Sequence, residues 1–156
     1  MNVAMNAEGS PLRRRVEQDM KDALRAGDRR RLGVVRLILA ALKQREIDER
    51  IQLDDAQVLA VLDRMLKQRR DSLAQYEAAG RQDLADQESY EIERIREYLP
   101  PPLDATQIDA LIDEAIATTG AAGPRDMGKV MGQLKPRLQG RADLGAVSAR
   151  VKARLA

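Results

Sequence analysis

RDMGKVMGQLKPRLQGRAD, residues 125–143, holds glycine, proline and cationic side chains more densely than any other stretch of the chain. On a helix starting near Asp126, Met127, Val130, Met131, Leu134 and Leu138 share one arc, the 3-4-3-4 spacing of a face packed in a core. Gly128 and Gly132 fall about 120° round from that arc, in the company of Arg125 and Lys135. A glycine inside a helix costs about 1 kcal/mol relative to alanine, so each asks for a reason. Pro136 offers a structural one for Gly132, because its ring meets the carbonyl four residues back. Gly128 has no such neighbour. The functional alternative covers both: a bare strip of backbone between cations lets a sugar-phosphate chain approach closely, held by Arg125, Lys129 and Lys135.

The segments on either side extend the helical pattern. Gly140 is placed to end this helix and Asp143 to cap the next, which makes a tight corner from which Arg141 projects, one turn beyond Arg137. The last helix buries Leu144, Val147, Val151 and Leu155 and surrounds them with Arg150, Lys152 and Arg154. Upstream, Asp104 caps a helix running to about residue 119, with Gln107 in the reciprocal capping-box position and Ile108, Leu111, Ile112 and Ile116 facing inward. Residues 103–156 therefore read as a compact three-helix domain. Pro100, Pro101 and Pro102 before it cannot continue a helix and favour a stiff extended spacer, so a domain boundary falls there.

Residues 10–99 read as an N-terminal helical domain behind a disordered leader at residues 1–9. Ser10-Pro11 starts a first helix with Val16, Met20 and Leu24 inward, and Gly27-Asp28 divides it from a second at about 29–49. There Val34, Val35, Ile38, Leu39 and Leu42 face the core, while Arg29, Arg36, Lys43 and Arg50 recur every seven residues on another face. That stripe is either a solvated or internally paired face or a second place to bind phosphate or carboxylates, with Arg36 and Lys43 as its candidate residues. Asp54 caps a long third helix to about residue 79. A fourth, at about 83–98, carries Asp86, Glu88, Glu91, Glu93 and Glu97 on or near its exposed faces and is expected to lie against the basic helices. No alternating strand pattern competes, and the fold class is all-α.

Composition narrows the chemistry. Three tyrosines are the only aromatics among 156 residues, so the core must be aliphatic, and base stacking of the single-strand-binding kind has no side chains to use in residues 103–156. The chain has no Cys and no His, which removes thiol chemistry, the usual zinc sites and the commonest general base; no cofactor or metal is expected. No apolar run approaches the roughly 20 residues that cross a bilayer, and the first ten residues lack the basic and apolar regions of a secretion signal, so the expectation is a cytoplasmic protein without a membrane partner. From Pro124 onward 8 Lys/Arg face 2 Asp/Glu, against 19 and 23 in the remainder. Such a separation points to an anionic partner at the basic end.

Met127-Gly128-Lys129-Val130-Met131-Gly132, Leu134, Pro136 and Gly140-Arg141-Ala142-Asp143 together resemble the tail domain shared by the YqeY family and the tRNA-dependent amidotransferases. Arg69-Arg70-Asp71-Ser72, Ala79-Gly80-Arg81, Leu84-Ala85, Glu88, Glu91-Ile92 and Tyr98-Leu99-Pro100 resemble the family pattern as well, so the likeness runs from about Leu12 to the end. It implies an all-helical protein of two parts. It also implies tRNA handling, since the similar tail helps the amidotransferase, and some glutaminyl-tRNA synthetases, to hold tRNA. The catalytic bodies of those enzymes are absent from this sequence. The expected function is a non-catalytic tRNA-binding accessory acting with an aminoacyl-tRNA synthetase or a tRNA-dependent amidotransferase, using Arg125, Gly128, Lys129, Gly132, Lys135, Arg137 and Arg141, with Arg36 and Lys43. Its rivals are a protein-interaction adaptor without RNA binding and, third, an amidase or hydrolase, for which Glu88 and Glu91 offer carboxylates but nothing completes a site.

Overall fold

A computed structural model describes residues 9–156; apart from Gly9, the expected leader lies outside the described residues. Among these the regular structure is helical throughout: seven α-helices and one short 3-10 turn. They gather into two compact units, the first ending at Leu99 and the second spanning Pro100–Ala156.

The first unit holds α1 (Pro11–Ala26), α2 (Arg29–Glu49), α3 (Asp55–Ala78) and α4 (Gln82–Arg96). Its starts follow local chemistry. Ser10 and Asp28 accept the backbone N–H groups of Arg13 and Arg31, and Asp54 with Gln57 closes a reciprocal capping box. Ser10 also donates to Asp55, which accepts the N–H of Leu12 as well, so the first turns of α1 and α3 are tied together. α1 pairs with α2, and α3 with α4, around an aliphatic core in which Val16, Ile38, Leu42, Val58, Leu62 and Ile95 are wholly buried.

Tyr98 closes this unit. It sits just past α4 with 4% of its surface exposed, its hydroxyl donates to Asp19 Oδ2 at 2.5 Å, and the Arg15 guanidinium lies 4.9 Å from its ring centre. Burial, reinforced by the Asp19 carboxylate, pushes the phenol well above its usual range, so it stays a donor at every physiological pH.

Two expectations for this unit fail for identifiable reasons. Leu24 was expected inward, yet it is 60% exposed and Ala23 is buried in its place. Val16, Met20 and Ala23 already complete the inward arc, and Leu24 is turned about 100° from Ala23. Glu91 was expected on an exposed face, yet it is buried, 3.8 Å from Arg69 Nε, because the turn joining α3 to α4 brings the half-buried Arg69 against it. The broader expectation, acidic α4 against basic neighbours, agrees with the ion pair of Glu97 with Arg31 at 2.6 Å as well as with Arg69–Glu91.

The second unit holds α5 (Ala105–Thr119), a 3-10 turn (Pro124–Asp126), α6 (Met127–Leu138) and α7 (Leu144–Leu155). Asp104 and Gln107 form the expected capping box, and Ile112, Val130, Leu134, Leu138 and Val151 are the wholly buried centre. Pro136 lies inside α6 without breaking it, since only two helical residues follow. Gly140 takes the left-handed backbone (φ 75°) that ends the helix, and the N–H of Leu103 donates to the Arg141 carbonyl, anchoring the proline segment to the α6–α7 corner.

Two measurements check this description of the first unit. Tyr98→Phe removes a hydrogen bond to a carboxylate and should lower unfolding stability by about 2 kcal/mol in urea titrations, with helicity unchanged. Burial holds the Glu91 carboxyl above its ordinary range, against the pull of Arg69, so its ionisation opposes folding. Its favourable contribution is complete below the unfolded-state pKa and is lost as pH rises through the folded one. Wild-type stability should therefore fall relative to Glu91→Gln between the ordinary carboxylate range and neutrality; parallel pH profiles would contradict the assignment.

Candidate nucleic-acid interface

The rotation of α6 decides what the second unit presents. With Val130, Met131, Leu134 and Leu138 buried, the opposite side carries Gly128, Lys129, Gly132, Lys135 and Pro136, all exposed, and Arg125 joins them from the 3-10 turn. A Cβ placed on Gly128 or Gly132 would meet no other atom within 4 Å. Neither glycine is therefore required by packing within the chain. The Pro136 ring acts on the carbonyl of Gly132, not on the direction in which a side chain would leave it. Because proline has no N–H, that carbonyl receives no helical donor from position 136.

The cations divide into two groups. Arg137 pairs with Glu114 of α5 at 3.0 Å, Arg150 with Asp109 at 3.1 Å, and Arg154 with Asp113, so the carboxylate face of α5 draws in one side chain from α6 and two from α7. Lys129 lies 3.8 Å from Asp126, a loose contact, because that carboxylate accepts the N–H of Ala122. This backbone bond, more than Lys129, holds Asp126 below its ordinary carboxylate range. No ion pair involves Arg125 or Lys135 among the described residues.

Of the residues read from sequence, Arg125, Gly128, Lys129, Gly132 and Lys135 come together on one face. Arg137 is turned about 160° away from the glycines and toward α5. Arg141 was expected to project from the corner; it is half-buried, with Nε 3.5 Å from the Pro101 carbonyl. The charge separation also shrinks once α5 is counted with its neighbours: residues 100–156 hold 8 Lys/Arg and 6 Asp/Glu. Arg36 and Lys43 are exposed on α2 of the first unit.

Sequence reasoning missed what surrounds those two cations. The four large apolar side chains most open to solvent among the described residues, Leu24, Leu37, Ile47 and Ile51, all belong to residues 24–51. An open depression of about 450 Å³ lies between the end of α1 and the start of α2, lined by Ala23, Leu24, Gly27, Arg29, Leu32, Gly33 and Arg36. The signal in the sequence was Gly33, inside a helix and off its core arc.

Comparison with known proteins adds a family. Residues 13–155 match the family described as Yqey-like protein. Among similar proteins, altered inheritance of mitochondria protein 41, mitochondrial, of Kluyveromyces lactis is 29% identical over 70% of this chain and 60% of its own length. Its namesake in Eremothecium gossypii is 32% identical over 68% of this chain and 62% of its own length. The chain thus spans about six-tenths of these relatives. Their names correct the expectation of a cytoplasmic protein, since both are mitochondrial proteins. That expectation rested on missing apolar runs, and no described helix is long and apolar enough to cross a membrane. A missing span does not distinguish one aqueous compartment from another.

Because Gly128 and Gly132 face open space, Gly128→Ala and Gly132→Ala should each raise unfolding stability, by up to about 1 kcal/mol. A loss of stability in thermal or urea unfolding would show that the chain itself needs the bare backbone.

Proposed function

The chain belongs to the Yqey-like protein family, and from that membership we propose that it is a non-catalytic accessory that holds tRNA by its backbone and works beside an aminoacyl-tRNA synthetase or a tRNA-dependent amidotransferase. One observation carries the reading: Gly128 and Gly132 lie exposed, with no packing partner, along a helix face edged by Arg125, Lys129 and Lys135. Glycine there sacrifices helix stability for access, which is what close approach of a phosphate backbone requires. The likeness of this segment to the amidotransferase tail supports tRNA as the backbone concerned.

The reading treats the two compact units as separate domains, with the RNA face on the second. Arg125, Lys129 and Lys135 supply charge, the glycines supply closeness, and Arg141, held by the proline segment, edges the face at the corner. Arg137 stays engaged with Glu114 and contributes little. Contacts of this kind position an RNA without reading its bases, in keeping with a unit that contains no aromatic side chain.

Reversing Lys129 and Lys135 to Glu should weaken tRNA binding at least tenfold at low salt and reduce the salt dependence of the affinity by about two phosphate contacts, with unchanged circular dichroism. Filter binding over a range of salt concentrations measures both. Unaltered affinity in the double variant would refute the proposal.

A further inference from the structure

α2 shows two faces to two different environments. Its inner arc is core; on the opposite side Gly33, Leu37, Ala40, Gln44 and Ile47 form one stripe along the helix, apolar except for Gln44, and Leu37 and Ile47 are 47% and 61% exposed. Arg29, Arg36, Lys43 and Arg50 run parallel to that stripe, about 60° to one side of it. All four cations are exposed, and no ion pair involves any of them among the described residues. Internal pairing therefore does not account for them, which leaves a solvated face or a bound anion. The depression at Gly33 lies at the upper end of the stripe, with Leu24 on its lip and Arg29 and Arg36 beside it. A Cβ on Gly33 would meet nothing within 4 Å, so the hollow is open to a side chain from outside.

We propose that this face of α2 is a docking site for an acidic amphipathic helix of a partner protein, which seats one large apolar side chain in the hollow at Gly33 and sets its carboxylates along Arg29, Arg36 and Lys43. Complementarity of charge and shape selects this occupant. Exposed aliphatic side chains gain nothing from an RNA backbone, and the RNA face proposed for α6 has cations and glycines but no large apolar group. The hollow at Gly33 is concave and of a size to take one protruding side chain such as leucine. Gly33 and Ala40, seven residues apart, keep the stripe low enough for a second helix axis to approach, and Leu37 and Ile47 then pack beside it. The stripe from Gly33 to Ile47 covers about 21 Å, and with the flanking cations from Arg29 to Arg50 the face spans about 30 Å, the length of a 20-residue helix. Because the cations occupy one side only, the partner helix carries its carboxylates on one flank, which also fixes its direction.

The test uses the full chain and a fluorescein-labelled 20-residue helical peptide with leucines on one face and glutamates along one flank, followed by fluorescence anisotropy at low salt. Wild type should bind it. Arg29→Glu with Arg36→Glu should weaken binding at least tenfold, and so should Gly33→Leu, which fills the hollow and does not burden the helix. A peptide with lysines in place of the glutamates should bind the double Glu variant and not the wild type. Lys129→Glu with Lys135→Glu should leave peptide binding unchanged, so a failure here is separable from a failure of the tRNA reading. The proposal is overturned if the peptide does not bind, or binds regardless of these substitutions. It is equally overturned if the Arg29 and Arg36 reversals abolish binding to tRNA or to phosphatidylglycerol vesicles and spare the peptide, or if Gly33→Leu dissolves a dimer of the chain.

Discussion

Burial of the aliphatic arc of α6 against Ile112 and Val151 is the constraint on which the second unit depends. Once Val130, Met131, Leu134 and Leu138 are inside, Gly128, Gly132 and Lys135 have no orientation left but outward. A core without aromatic side chains makes this packing strict, because small aliphatic groups fill space only by close interdigitation and leave little freedom for the helix to rotate. The surface chemistry of the unit is thus a by-product of how its inside is filled.

Electrostatics then sorts the cations that burial has exposed. Asp109, Asp113 and Glu114 lie on the outer side of α5 and take up Arg150, Arg154 and Arg137. These are exposed pairs, worth little as stabilising contacts, and their main consequence is to determine which positive charges remain available. Arg125, Lys135 and Lys152 remain, with Lys129 only loosely held, and of these Arg125, Lys129 and Lys135 border the glycines. In the first unit the same sorting gives a different surface: Arg31 and Arg69 are taken up by Glu97 and Glu91, while the outer cations of α2 are left beside uncovered leucine and isoleucine. One family of helices thereby presents two chemically distinct faces, one bare and cationic, the other apolar and cationic.

Much of this was legible in the sequence. The helical class, the starts at Ser10, Asp28, Asp54, Asp104 and Asp143, the ends at Gly27 and Gly140, and the core arc of α6 all follow from local rules, since capping and 3.6-residue periodicity act within a few residues of chain. The family likeness read from the glycine and lysine segment agrees with the match over residues 13–155. What misled was position along the chain taken as a proxy for position in space. Counting charge from Pro124 onward left out the acidic face of α5, and so exaggerated how basic the second unit is. Glu91 looked like one more solvated carboxylate on an acidic helix, and Arg141 like a free corner residue.

The sequence by itself determined which residues become helix and which arc of each helix is apolar, because those properties are set by neighbours within one or two turns. Only the tertiary structure decided which charges are spent. Arg137 and Lys135 are two residues apart on one helix, yet one meets Glu114, 23 positions earlier, and the other meets no carboxylate among the described residues. Pairing is a property of distance in space, and long cationic side chains reach across helices that sequence separates. The same holds for Leu24 and Gly33, whose hollow exists only because the end of α1 and the start of α2 are folded side by side.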